Sequence, residues 1–180
     1  DLTDEKKRNV INEVDILSKL DSINVVQYYN SWFESDYLYI QMEYCPQTLR
    51  KVLDDKWRAF GRQSPKEPMN SYEYYILCEI FWEILRCLQY IHELDSPIIH
   101  RDIKPANILI SVTHDNIMSL KLCDFGLATE HDTKSKSHSR GVGTQGYMAP
   151  EIGYTTKYDT KVDIYSAGII GLEISDMYLR

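Results

Sequence analysis

A carboxylate, a lysine and an amide lie close together in one string, His100-Arg101-Asp102-Ile103-Lys104-Pro105-Ala106-Asn107. A second carboxylate opens Asp124-Phe125-Gly126, and Ala149-Pro150-Glu151 follows after a polar stretch. These residue types suit phosphoryl transfer, a reaction that needs positioning and charge neutralisation more than covalent chemistry. Asp102 can accept or orient a hydroxyl proton. Lys104, two residues on, can reach a transferring phosphate. The oxygens of Asn107 and Asp124 are hard ligands of the kind that hold Mg²⁺. Phe125 is expected to pack inward, and Gly126 lets the backbone turn sharply. The second string is short enough to arise by chance. The first needs several functional positions right together, and the three in order form one constellation.

The rest of the composition fits a folded carrier for such a site. The chain has 180 residues, 43% apolar and 26% charged, which is enough to bury a core and excludes collagen-like, disordered and coiled-coil classes. Acidic residues outnumber basic ones 27 to 20, against a dedicated nucleic-acid binder. No apolar run approaches the roughly 20 residues of a spanning helix. Cys45, Cys78, Cys87 and Cys123 form no CxxC pair and read as free thiols in a reducing compartment, hence a cytoplasmic location. The first residue is Asp1, and the helical pattern at the other end meets no Gly or Pro, so both ends are expected to be cut from a longer protein.

Periodicity supplies the elements that must hold these residues. An amphipathic helix is expected over 4–20, with Val10, Val14 and Leu17 on one face and Glu13 beside it. Two aromatic-rich runs, Val25–Phe33 and Tyr37–Tyr44, read as a strand hairpin with turn residues at Asn30-Ser31 and Glu34-Ser35-Asp36, closed by Pro46. A short helix over 48–57 and a polar loop from Gly61 to Pro68 follow. Asn70 starts a long helix with Glu73 as its capping-box partner. Its buried stripe is Leu77, Ile80, Phe81, Ile84, Leu85, Leu88 and Ile91. Ile98–Ile99, Ile108–Ile110 and Leu120–Cys123 read as short strands or buried turns. Residues 130–140 are polar and aperiodic, and Val162–Ile174 is apolar almost all round, as in a helix buried on every side. The change from strand-rich to helical marks a boundary near residues 44–47.

Together the three strings resemble the eukaryotic protein kinases, over essentially the whole chain. Lys104 and Thr144 are similar in placement to those of the serine/threonine type. The resemblance implies an α+β, bilobal protein-kinase fold, present in part: 1–45 as the end of the N-lobe, 46–180 as the first part of the helical C-lobe. It implies ATP and Mg²⁺ as cofactors, with Asp102, Lys104, Asn107 and Thr144 catalytic and Asn107 and Asp124 on the metal. It makes Glu13 the helix glutamate that pairs with an ATP-anchoring lysine, Met42 the gatekeeper, Glu43 to Cys45 the hinge that meets adenine, and Leu109 the floor of the adenine pocket. Asp163 would brace the catalytic loop. Leu17, Tyr28, His100 and Phe125 would form a stack linking the lobes. The Gly-rich loop with its lysine is expected upstream of residue 1, and further helices, including an arginine partner for Glu151, beyond residue 180; these 180 residues alone are expected to be inactive.

NVVQYYNSWFE, LYIQMEYC, TLRKVLD, HRDIKPANILI, DFGLAT and VGTQGYMAPE narrow the resemblance to the kinases of the α subunit of eukaryotic translation initiation factor 2, with the amino-acid-starvation-sensor type nearest. That implies a protein substrate, the initiation factor's α subunit, and stress control of translation, with no direct nucleic-acid contact from this segment and a homodimer of the full protein left open. Two departures stand out: no long insert separates the two strands, and Gln145-Gly146 is an unusual spelling of the substrate-facing segment. A NIMA-like kinase and a pseudokinase module stay open beside this reading. Arg101, a cation expected to be buried, calls for an anion. Loop hydroxyls at Thr133, Ser135, Ser137, Ser139 and Thr144 could carry it as phosphate, with Ser139 preferred and Thr144 second or bonded directly to Asp102 and Lys104.

Overall fold

A computed structural model of the chain describes residues 4–35, 37–112, 118–131 and 138–177. The order is helix α1 (Asp4–Leu17), strands β1 (Tyr28–Glu34), β2 (Tyr37–Met42) and β3 (Gln47–Thr48), helices α2 (Leu49–Ala59) and α3 (Ser71–His92), strands β4 (Ile98–Ile99), β5 (Ile108–Val112), β6 (Met118–Leu122) and β7 (Thr129–Glu130), then helices α4 (Pro150–Tyr154) and α5 (Lys161–Ile174). Short 3₁₀ turns occupy Pro105–Asn107 and Phe125–Leu127, so both chemistry-bearing strings sit at sharp bends between small strands.

The strands form three small antiparallel sheets, β1-β2, β3-β5-β6 and β4-β7. The β5-β6 hairpin runs straight from the Asn107 turn to the Asp124 turn, which brings the two strings together. β4-β7 fastens the segment after Phe125 beneath His100. The β1-β2 pair is where the expected hairpin lies, with narrower strands. Val25 and Val26 are buried but bond Leu122 rather than a hairpin partner, and β2 stops at Met42, before Pro46. Asn30 and Ser31 do not turn but pair within β1 with Gln41 and Ile40, and the register shift falls at Tyr29, between Tyr28 and Asn30.

One core joins α1, α3, α5 and the β5-β6 hairpin. It is built on Leu17, Leu77, Ile84, Leu88, Leu120 and Phe125, each at most 2% exposed. Full burial stabilises by about 1.5–3 kcal/mol for a Leu or Ile. The α3 stripe points into it as its spacing predicts, except that Cys87 joins and Phe81 and Leu85 are only partly covered. α5 differs from expectation: Ile164, Tyr165 and Leu172 are 40–47% exposed, so its apolar character is not matched by burial all round among the described residues.

Asn70 caps α3 by accepting the Glu73 N–H at 2.8 Å. The capping box is only half made. The Glu73 side chain is fully buried and takes Arg62 at 2.7 Å instead of returning to the cap. Arg62 also holds Asp176, and Lys56 of α2 bonds Asp176 and the carbonyls of Glu173 and Ile174, so a cation caps the C-terminal end of α5.

Candidate active site

Asp163, fully buried on α5, fixes the loop before Asp102. One oxygen accepts the Arg101 N–H at 2.9 Å; the other accepts the His100 N–H at 2.9 Å and meets His92 Nε2 at 2.9 Å. The His100 ring bonds the Cys123 carbonyl at 3.0 Å and packs on Phe125, with centroids 4.8 Å apart. Leu17 and Phe125 are buried in the same core, with Tyr28 packed against it. Arg101 and Asp124 both adopt positive φ, 67° and 63°. Such backbone is costly for residues with a Cβ and persists where surrounding bonds over-determine it.

Four predicted residues meet at Asp102, which is buried. Thr144 Oγ1 donates to Asp102 Oδ1 at 2.6 Å, and Lys104 Nζ donates to Oδ2 at 2.7 Å. Lys104 also reaches Thr144 Oγ1 at 2.8 Å, and Asn107 Nδ2 donates to the Asp102 carbonyl and to Oδ2, each at 3.0 Å. Burial opposes ionisation of Asp102, but the hydrogen bonds from Lys104 and Thr144 and the charge of Lys104 outweigh it and hold the carboxyl below its ordinary range. With its amide nitrogen spent on Asp102, Asn107 leaves its amide oxygen for a cation.

Asp124 lies exposed at the mouth of the Phe125 turn, beside Glu13. Burial and the Asp124 charge raise the Glu13 carboxyl, and a hydrogen bond from the Phe125 backbone only partly offsets them. Cys123 is half-buried next to these carboxylates, and burial followed by their charges pushes its thiol up to about 12. No group of three or more His, Cys, Asp or Glu among the described residues forms a self-contained metal cage. Two hard protein oxygens, Asn107 and Asp124, suit Mg²⁺ that takes its other ligands from phosphates and water.

A protein kinase domain model matches residues 1–178. The chain belongs to the protein kinase family. Relatives include the serine/threonine-protein kinase cst-1 of Caenorhabditis elegans, 35% identical over 173 residues, covering 96% of this chain and 31% of that protein. The interferon-induced, double-stranded RNA-activated protein kinase of Mus musculus is 33% identical over 179 residues, covering 90% of this chain and 32% of that one. The chain thus spans about a third of the length of these curated relatives. A chain in the crystal structure of the yeast RNA polymerase II CTD kinase complex CTDK-1 superposes with a TM-score of 0.68 at 28% identity, over 92% of this chain and 49% of that one. The fold is the α+β protein-kinase fold in part.

On the hinge side of the kinase, Met42 is half-buried at the end of β2, opposite Tyr28. The Glu43 carboxylate turns to Lys121 of β6 at 3.0 Å and Ser111 of β5 at 3.3 Å, and accepts the Gln27 N–H at 3.2 Å. It therefore staples the segment after β2 to the β5-β6 hairpin. Burial, then the Glu43 charge, raises the half-buried Cys45 thiol. Leu109, half-buried on β5, pairs with Thr48 and Lys121 across the β3-β5-β6 sheet.

Arg101 is half-buried and is not an unpaired cation. It donates to the Leu127 carbonyl at 2.6 Å and to Tyr158 OH at 3.3 Å, and Tyr158 OH in turn bonds the Ser139 carbonyl. Neutral acceptors satisfy it where an anion was expected. Ser139 is exposed, two bonds from Arg101, whereas the Thr144 hydroxyl is occupied by Asp102 and Lys104. Thr133, Ser135 and Ser137 lie outside the described residues.

Three contributors escape a motif reading. Gly143 sits at φ +117° with its Cβ position 2.5 Å from the Arg101 carbonyl, so only glycine fits. His92 completes the Asp163 bonds from 71 residues away. Asn12 of α1 donates to the Ala128 carbonyl at 2.9 Å and the Phe125 carbonyl at 3.4 Å, tying the helix to the Phe125 turn beside Glu13. Only Gly143, set just before Thr144 in a stretch without periodicity, left a sequence signal.

Proposed function

We propose that this kinase phosphorylates the α subunit of translation initiation factor 2 on a serine or threonine, in the cytoplasm, as part of stress control of translation. The observation that carries the chemistry is the bonded quartet of Asp102, Lys104, Asn107 and Thr144. The Asp102 carboxylate, held ionised, receives the proton of the incoming hydroxyl and orients it. Lys104, between Asp102 and Thr144, supplies positive charge where negative charge develops. Asn107 and Asp124 would hold Mg²⁺, which would neutralise charge on the phosphates of ATP, the donor of the phosphoryl group. Asn12, and Glu13 through the Phe125 backbone, tie α1 to the Phe125 turn that follows Asp124.

The substrate reading rests on the strings around YY-x-x-WFE and LYIQMEYC, and the likeness to the mouse double-stranded RNA-activated kinase supports it. Ser139 is the proposed activating phosphosite. A phosphate there would add about −1.5 to −2 charges near Arg101, which now bonds only neutral oxygens. The test incubates the full-length protein with Mg-ATP and either the initiation factor's α subunit or generic protein substrates. Selective phosphorylation of the factor is expected. Equal or better use of generic substrates would favour a kinase of another group, to which comparably similar relatives belong.

A further inference from the structure

Two half-buried histidines face each other, with His131 Nδ1 and His138 Nε2 3.0 Å apart and ring centroids 5.3 Å apart. Each is pinned by its own backbone N–H to a different stretch of chain. His131 bonds the Pro97 carbonyl before β4, and His138 bonds the Thr156 carbonyl after α4, both at 2.7 Å. The His138 ring also lies against the buried Tyr158 ring, with centroids 4.9 Å apart. Tyr158 OH donates to the Ser139 carbonyl and accepts from Arg101 at 3.3 Å. Arg101 directly precedes Asp102, so a chain of contacts runs from the histidine pair to the site.

A bond between two imidazole nitrogens needs one N–H and one bare nitrogen. It holds with both rings neutral, and it strengthens when one ring becomes an imidazolium. With both rings protonated, the facing nitrogens each carry a hydrogen and the two charges repel. The surroundings oppose that second proton. Arg101 reaches Tyr158 beneath the His138 ring. Lys157 and Lys161 line a cavity of about 370 Å³ together with His131, Tyr158, Glu151 and Asp159. Asp159 lies 3.8 Å from Lys161, and Glu130, next to His131 in the chain, is taken by Lys19 at 3.0 Å and Ser96 at 3.3 Å. Burial, then the charges of His131 and Arg101, lower His138 from its ordinary 6.5. The same three cations oppose a metal ion between the rings.

We propose that the His131–His138 pair is a proton-operated clasp, closed with at most one extra proton and opened by a second, which positions Tyr158 and Arg101 behind Asp102 and so ties turnover to pH. Only the effect on turnover rests on the reading of Asp102 as the group that meets the substrate hydroxyl.

The first measurement follows the histidine ring signals of the full-length protein by NMR from about pH 8 to about pH 5, with a chelator and no nucleotide. His131→Phe and His138→Phe, which keep a ring in place, assign the signals. The two rings should titrate as a coupled pair in two steps, and each variant should return the remaining ring to a single step. The second measurement divides wild-type turnover by that of His131→Phe at each pH, so that titration of nucleotide and substrate cancels. The ratio should be roughly fivefold at about pH 7.5 and fall to about one near pH 5.5, across the window in which histidine titrates. Asp102, held below its ordinary range, does not titrate in that window. His138→Gln, which is polar but not titratable, should give the same ratio. Rings that titrate independently, or a ring indifferent to loss of its partner, overturn the inference whatever the turnover. Coupled rings with a turnover ratio constant across pH overturn it alone. A folded, nucleotide-binding protein without turnover at any pH overturns the functional reading and the link to turnover with it.

Discussion

Asp102 is a buried carboxylate and Glu13 a partly buried one, and their surroundings push them in opposite directions. At Asp102, burial is outweighed by donors: Lys104, Thr144 and Asn107 all point at the carboxylate. At Glu13, burial is reinforced by a second carboxylate, Asp124, and answered by a single backbone donor. The Asp102 side of the site is therefore neutralised within the described residues, with its geometry set by bonds from Lys104 and Asn107 in its own string and from Thr144. The other side places two carboxylates, Glu13 and Asp124, together, an arrangement that favours the arrival of cations. The difference teaches that one region is built as a finished hydrogen-bonded device, whereas the other holds charge in reserve for what it binds.

Removing the metal-side charge should have the largest effect. Asp124→Asn is expected to lower phosphoryl transfer below detection in the full-length protein, while circular dichroism and melting stay close to wild type, because few bonds depend on that side chain. A variant that keeps substantial Mg²⁺-dependent turnover would dissolve the contrast between the two regions.

On the finished side, stability and activity should fall together. Asp163→Ala leaves two backbone N–H groups and His92 without their buried acceptor, at a cost of about 3 kcal/mol or more. Urea unfolding of the full-length protein measures it; a shift under about 0.5 kcal/mol, the range of ordinary surface changes, would show that the loop is held by something else. Gly143→Ala is expected to cost roughly 1–3 kcal/mol, because the new Cβ meets the Arg101 carbonyl at a φ that side chains avoid. The same unfolding experiment checks it, and an unchanged midpoint would contradict it.

The smallest effect is the one that sharpens the comparison. Glu13 has a folded pKa above its ordinary value of 4.5. Its contribution to stability is fully present below the unfolded value and is lost as pH rises through the folded one. Glu13→Gln in these 180 residues should therefore melt higher than wild type at neutral pH, with the gap closing in acid. A variant that melts lower at neutral pH would mean that Glu13 already has a stabilising partner.

The same contrast explains what was legible in the sequence. Asp102, Lys104 and Asn107 lie within one string, so their spacing reports their meeting directly. The α3 stripe was legible because helical period and burial coincide there. Arg62 and Glu73 were not: one sits in a stretch that reads as a polar loop and the other looks like a capping residue, yet they pair in the interior. Val25 and Val26 read as strand because they are apolar, but it is a bridge to Leu122 that buries them. Arg101 read as a cation in need of an anion because neither the Leu127 carbonyl nor Tyr158 carries a signal in spacing.

The most direct test of the central claim is Asp102→Asn in the full-length protein, with turnover on a protein substrate and Mg-ATP affinity measured side by side. Asparagine keeps the shape but loses the negative charge that receives the hydroxyl proton. The expected result is a fall in kcat of roughly 10²–10⁴-fold with nucleotide affinity unchanged. Near-wild-type turnover, or a loss confined to ATP affinity, would contradict the assignment of Asp102 to the substrate hydroxyl.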